Sequence, residues 1–183
     1  RLAGVSDEDR GSSISEIVRG RVPWLAINLG TAVLGASVIS WFGATIEQII
    51  ALAVLMPIVS AIGGNAGTQS LTVTVRALAT RELNRSNSVR TFWREIAVGL
   101  ANGLVLSPLI GVAAALWSGD WRIGAVIATA MVLNLIVAAT VGVLTPLTLS
   151  RLKFDPAVSS AVFVTATTDF FGFLIFLGLA TVV

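Results

Sequence analysis

Residues 157–182 read AVSSAVFVTATTDFFGFLIFLGLATV, a continuous apolar stretch in which Asp169 is the only charged residue. About 20 helical residues cross the hydrocarbon core of a bilayer, so this stretch is long enough to span one. Its midpoint falls at Asp169. The stretch therefore predicts a transmembrane helix with a carboxylate near the centre of the membrane.

Four further apolar stretches are long enough to span a bilayer, and they cover residues 22–43, 50–75, 94–117 and 123–150. The whole chain is 55% hydrophobic and only 12% charged, whereas a soluble domain has about 25% charged residues. The sequence predicts an all-α membrane protein with five transmembrane helices. They form one domain, residues 22–183, preceded by a polar juxtamembrane segment, residues 1–21.

The basic residues lie almost entirely on one side of this predicted bundle. Eleven of the twelve Arg and Lys residues precede the first span or lie in the two loops on that side, and only Arg122 lies on the other. Basic loops stay in the cytoplasm, which places the N-terminus inside and the C-terminus outside the cell membrane. The net charge of +2 indicates no nucleic-acid partner. Residues that favour the lipid headgroup region fall near the predicted helix ends: Trp24, Trp41, Trp93, Trp117 and Trp121.

An ionised Asp169 at the membrane centre would cost about 2.5–3.5 kcal/mol on insertion scales. No basic residue lies in the interior of any predicted span, so we expect this carboxylate to receive a cation from outside. The alternative is a protonated Asp169 that is hydrogen-bonded to a neighbouring helix. Thr165 and Ala161 share its helical face. Oxygen ligands suit hard cations such as magnesium or calcium, and the absence of Cys and His excludes thiolate and imidazole sites.

The second predicted span contains residues 57–70, PIVSAIGGNAGTQS. Gly63 and Gly67 form a GxxxG pair, which allows two helices to approach closely. We expect Pro57 and the double glycine to loosen the backbone and to free carbonyl groups beside a cavity. The polar side chains that follow can hydrogen-bond the water shell of an ion: Asn65, Thr68, Gln69 and Ser70.

Other polar residues have simpler interpretations. Glu47 and Asp120 either attract cations to a pore mouth or are solvated loop charges. Interhelical hydrogen bonds are expected for Asn28, Asn102 and Asn134. Residues 13–16, SISE, match a capping box at the start of a short helix or interfacial turn.

Several of these segments resemble the MgtE family of magnesium channels. Residues 57–79 resemble its second transmembrane helix. Residues 154–157 (FDPA), together with Phe163-Val164-Thr165 and Thr168-Asp169, resemble its fifth, and residues 21–24 (RVPW) resemble the entry to its first. The resemblance covers nearly the whole chain.

This resemblance implies a homodimer of five-helix subunits with one cation pore on the two-fold axis, between helices 2 and 5. It places the family's pore carboxylate at Asp169, so that two subunits supply two carboxylates. Magnesium keeps several of its waters, and the resemblance implies that the hydrated ion passes a lining of Thr165, Ala161, Gly64, Asn65 and Thr68.

Typical members of the family also carry a large cytoplasmic sensor, joined to the membrane domain by a connecting helix. Only about twenty residues precede the first predicted span in this sequence, and they correspond at most to the end of that helix. We expect either an excised membrane domain or a short form.

The sequence thus predicts a non-enzymatic channel, embedded in the cell membrane and its lipid, that conducts magnesium or a related divalent cation down its gradient. No GxxxxGK[ST] loop is present to bind ATP. A coupled exchanger, with Asp169 alternating between the metal and a proton or sodium, remains an alternative. An intramembrane aspartyl protease is a remote one, because it needs two carboxylates sharing a proton and the spans are expected to hold only one. A purely structural subunit leaves Asp169 unexplained.

Overall fold

The computed structural model of the chain describes residues 13–83, 87–153 and 156–183, with side chains described outside 156–159. Three sequence predictions lie partly outside this range. They concern residues 1–12 of the juxtamembrane segment, Arg85 of the basic loop, and Phe154–Asp155 of the family resemblance.

The described part of the chain is helical and contains no strand. Its helices are α1 (Ile14–Trp41), α2 (Gly43–Gln48), α3 (Ala51–Ala79), α4 (Ser88–Ser118), α5 (Trp121–Arg151) and α6 (Pro156–Ala180). Five of them, all except the short α2, are long and apolar enough to cross a membrane. The predicted number of spans is therefore confirmed.

Helices α1 and α4 begin earlier than the apolar pattern indicates. Helix α1 starts at Ile14 rather than residue 22, and α4 starts at Ser88 rather than residue 94. Hydropathy marks only the part of a helix that lies in hydrocarbon, whereas backbone hydrogen bonding continues into the headgroup region. At Ser13 the predicted capping box is present, with the backbone N–H of Ser13 donating to Glu16 Oε2 at 2.9 Å. It opens α1 itself and not a separate short helix.

Helix α5 is the centre of the bundle. It packs against α3, α4 and α6, while α1 packs against α6. Small residues make these approaches close: a Cβ atom added to Gly99 of α4 would lie 2.7 Å from the carbonyl oxygen of Leu135, and one added to Gly142 of α5 would lie 2.7 Å from that of Gly67. These glycines bring the backbones of α4 and α3 into direct contact with α5.

The GxxxG pair of α3 packs within the protomer. Gly63 faces the amide of Asn134 on α5, and a Cβ atom added to Gly67 would lie 2.5 Å from Val164 Cγ1 on α6. Both glycines are buried. The pair therefore gives no support for a dimer, because its close approaches are to helices of the same chain.

Helix α3 is continuous through Pro57 and the double glycine, from Ala51 to Ala79. The predicted loosening of this helix is thus wrong. Packing against α5 and α6 holds the backbone helical, and neighbouring helices are the usual means by which membrane helices tolerate Pro and Gly.

Candidate functional site

Asp169 of α6 is paired with Ser60 of α3. The Ser60 hydroxyl donates a hydrogen bond to Asp169 Oδ1 at 2.5 Å, and both residues are partly buried. A carboxylate offers about four acceptor positions, so this contact leaves most of them open. The hydrogen bond to a neighbouring helix that one interpretation of the sequence required is present.

Helix α1 closes one side of the carboxylate. A Cβ atom added to the buried Gly35 would lie 3.8 Å from Asp169 Cβ and 3.9 Å from Phe173. Three helices therefore surround Asp169, because glycine at position 35 lets α1 approach α6.

Helices α3 and α6 run antiparallel in a register that collects the predicted site residues. Ser60 meets Asp169, and one turn further along α3 a Cβ atom at Gly64 would lie 3.9 Å from Thr165 Cγ2. Advancing four residues on one helix thus corresponds to going back four on the other. The same register, continued by one turn, puts Thr68 and Ala161 at one level.

This contact exposes an unusual surface for a membrane protein. We call it the α3/α6 face and define it by Asn65, Thr68, Gln69 and Thr72 on α3 and Ala161 and Thr165 on α6, all of which are exposed. Elsewhere the exposed side chains of the spans are largely apolar, as on α4. Polar side chains at membrane depth face protein or water rather than lipid.

The two threonine hydroxyl groups that α3 contributes to the α3/α6 face donate to their own helix. Thr68 Oγ1 donates to the Gly64 carbonyl at 2.8 Å, and Thr72 Oγ1 donates to the Thr68 carbonyl at 2.7 Å. With their hydrogens used in this way, the oxygen lone pairs remain available as acceptors. Acceptors are what the water hydrogens around a hydrated cation require.

A second buried carboxylate, Glu95 of α4, was missed by the sequence reasoning, which expected only one in the spans. Ser70 of α3 donates a hydrogen bond to Glu95 Oε2 at 2.9 Å. Ser60 and Ser70 are ten residues apart on α3, so the two carboxylates are separated by about 15 Å of helix rise. They cannot share a proton, which removes the protease alternative within a protomer.

The signal that predicts the burial of Glu95 is its spacing. Glu95 begins a series of small or polar residues at intervals of four, and every member is buried: Glu95, Gly99, Gly103, Ser107 and Gly111. Such a series occupies one helical face. Glu95 also lines a polar cavity of about 360 Å³ whose charged lining includes Arg76, Glu82 and Arg94.

Replacing Glu95 with Ala is expected to destabilise the protein by about 1–3 kcal/mol, because the Ser70 hydroxyl would be left buried without an acceptor. Glu95→Gln is the matched control, since its amide oxygen still accepts that hydrogen bond. Thermal unfolding of the purified variants measures the difference. Equal melting temperatures for the two variants would contradict this account.

The remaining polar residues divide into structural and exposed groups. Asn134 makes the predicted interhelical bond, with Nδ2 donating to the Val59 carbonyl at 3.1 Å. Asp120 caps α5 by accepting from the backbone N–H of Arg122 at 2.9 Å. Asn28, Asn102 and Glu47 are exposed on the protomer.

Comparisons with known proteins found one family profile and several relatives that match this sequence. A family profile, MgtE, described as a divalent cation transporter, matches residues 56–179. Three relatives are named magnesium transporter MgtE. The Bacillus subtilis protein is 38% identical over 161 residues, 88% of this chain and 36% of its own length.

The other two relatives have sequence identities in the same range. The Enterococcus faecalis protein is 35% identical over 180 residues, 98% of this chain and 40% of its own. The Thermus thermophilus protein is 39% identical over 160 residues, 87% of this chain and 35% of its own. The chain thus spans well under half the length of these relatives.

Proposed function

The chain belongs to the MgtE family of divalent cation transporters, and from this premise we propose that it forms a multi-pass, membrane-embedded pathway for hydrated Mg²⁺. Residues 22–183 are the pore domain, and residues 1–21 are a cytoplasmic juxtamembrane segment. The transported ion is the substrate, and the chain performs no enzymatic step.

The observation that carries this proposal is the register of α3 against α6. It sets Ser60 against Asp169 and Gly64 against Thr165, and the exposed side chains of Asn65, Thr68 and Ala161 lie on the same two helices. Their polar groups open onto a surface that lipid cannot solvate. A second copy of the chain placed against the α3/α6 face, related by a two-fold axis, would enclose a polar passage between the protomers.

Two carboxylates, one Asp169 from each protomer, would neutralise a dication that passes between them. Magnesium binds water tightly and keeps several waters when bound to proteins. The hydroxyl, amide and carbonyl oxygens of the face would then accept hydrogen bonds from those waters. Discrimination among divalent cations would depend on how the passage fits an octahedral hydrated ion.

The test of transport is Mg²⁺ flux into liposomes that contain the purified chain, recorded under an imposed membrane potential. A potential of 100 mV contributes about 4.6 kcal/mol to the entry of a dication, twice the value for a single charge. For a channel, we expect flux that follows the potential and needs no other gradient. Flux that requires an opposing proton or sodium gradient identifies the coupled exchanger instead, and no flux from folded protein contradicts both.

Cross-linking through an introduced cysteine tests the dimeric arrangement. The experiment is simple to interpret because the chain contains no Cys of its own. A single cysteine at Thr165 is expected to join two protomers through a short bifunctional thiol reagent, since the two copies would face each other there. The matched control is Leu104→Cys, which lies on the exposed apolar side of α4. Cross-linking at position 104 and none at 165 would place the interface elsewhere.

A further inference from the structure

Asn134 lies behind the α3–α6 contact, on the side opposite the α3/α6 face. Asn134 belongs to α5, and its side chain is completely buried, with 0% exposed. Its amide Nδ2 donates to the carbonyl of Val59 at 3.1 Å. Val59 directly precedes Ser60, the residue that holds Asp169. The amide therefore fixes the α3 backbone next to the hydroxyl that meets the carboxylate.

The Asn134 amide also fills a slot between two glycines on different helices. A Cβ atom added to Gly172 of α6 would lie 2.8 Å from Nδ2, and one added to Gly63 of α3 would clash with the same atom. Gly63 follows Ser60 by three residues, and Gly172 follows Asp169 by three. Because the two helices are antiparallel, these two steps run in opposite directions, so the slot spans the level of the Ser60–Asp169 hydrogen bond.

The other end of the amide is unsatisfied. Asn134 Oδ1 is buried and has no hydrogen-bond partner among the described residues. Burying an unpaired polar atom is unfavourable, and a leucine of similar size would avoid that cost. Core packing alone does not account for an amide at this position, whereas the donor to Val59 does.

We infer that Asn134 is a positioning residue, which holds Val59–Ser60 and Gly172 in place so that the Ser60 hydroxyl meets Asp169 at the correct separation of α3 and α6. The inference rests on the proposed function, because it assigns Asn134 a role in the affinity of the pathway for Mg²⁺. Asn134 itself does not touch the ion, since it lies behind the helices that line the passage.

A double-mutant cycle tests this role, with the half-saturating Mg²⁺ concentration for flux as the readout. Asn134→Leu and Ser60→Ala are each expected to raise that concentration about fivefold, the effect of losing one hydrogen bond. The double variant is expected to be no worse than the more impaired single variant, because both changes disrupt one Asp169 contact. Such coupling is the signature of residues acting through a shared network.

The control separates positioning from general weakening of the core. Met131, one turn before on α5, is as buried as Asn134, and no hydrogen bond among the described residues links its side chain to Ser60. Met131→Ala is expected to lower the melting temperature without changing the half-saturating concentration. Combined with Ser60→Ala, it should add nothing to the fivefold effect.

Three results overturn the inference. They are an unchanged half-saturating concentration in Asn134→Leu, effects of Asn134→Leu and Ser60→Ala that multiply, and coupling of the same size with Met131→Ala. If Asn134→Leu does not fold, Asn134→Ala removes the same donor without added bulk and enters the same cycle. Flux that is lost in Asp169→Asn while the cycle shows no coupling leaves the proposed function intact and rejects only the role of Asn134. A native chain that conducts no Mg²⁺ rejects both.

Discussion

Asp169→Asn is expected to reduce Mg²⁺ flux at least a hundredfold while the protein remains folded. The substitution keeps the size of the side chain and its ability to accept from Ser60, so it removes charge and little else. Two unit charges about 4 Å apart interact by about 4 kcal/mol at an effective dielectric constant of 20. When both carboxylates are neutralised, a dication between them loses several such interactions. A hundredfold reduction in flux corresponds to only about 2.7 kcal/mol, which is less than that loss.

Asp120→Asn is the matched control for this experiment. It removes the same charge from the start of α5, and asparagine caps a helix about as well as aspartate does. Its flux is expected to stay within about twofold of the native value, because that carboxylate serves the helix cap. Native-like flux in Asp169→Asn would show that the ion does not depend on the Asp169 charge, and the paired-carboxylate mechanism would be rejected.

Gly142→Ala is expected to destabilise the protein strongly. An added Cβ atom would lie 2.7 Å from the Gly67 carbonyl oxygen, 2.7 Å from Ser70 Cβ and 3.1 Å from the Leu71 nitrogen. Two of these atoms belong to the α3 backbone, which cannot rotate away as a side chain can. Overpacking of this kind costs about 1–3 kcal/mol, and we expect the melting temperature to fall by about 5 °C.

Gly30→Ala provides the comparison, because a Cβ atom there meets nothing within 4 Å. Alanine also favours a helix over glycine by about 0.5–1 kcal/mol, so this variant is expected to be as stable as the native chain or slightly more so. Thermal unfolding of both variants in the same detergent decides the matter. If Gly142→Ala has the same melting temperature as Gly30→Ala, then α3 and α5 are not in the direct backbone contact described above.

The number of spans could be predicted because it depends on each helix separately. A segment that enters hydrocarbon must satisfy its own backbone hydrogen bonds, so a long apolar run specifies a helix whatever its neighbours are. The same reasoning placed Asp169 near the middle of the last predicted span, and Asp169 lies near the middle of α6. The capping box at Ser13 is equally local, since its hydrogen bonds join residues three apart.

Predictions that depended on a neighbouring helix fared less well. Gly63 and Gly67 signalled a close approach, but the motif does not identify the approaching helix, and α5 and α6 of the same chain take those places. Pro57 and Gly64 signalled a loosened backbone, but packing keeps α3 helical. Glu95 was overlooked although the series of small and polar residues that it begins marks one face of α4, because the series does not say that the bundle covers that face.

The sequence by itself determined that the chain crosses the membrane five times, that a carboxylate lies midway along the last span, and which residues share a face with it. These follow from the length, period and polarity of single helices, which sequence records directly. Only the tertiary structure decided that Ser60 meets Asp169, that α3 and α6 align antiparallel in the register of Gly64 and Thr165, and that the buried Asn134 amide donates to the Val59 carbonyl. The reason is that close packing depends on which side chains and backbones come together, and no single helix contains that information.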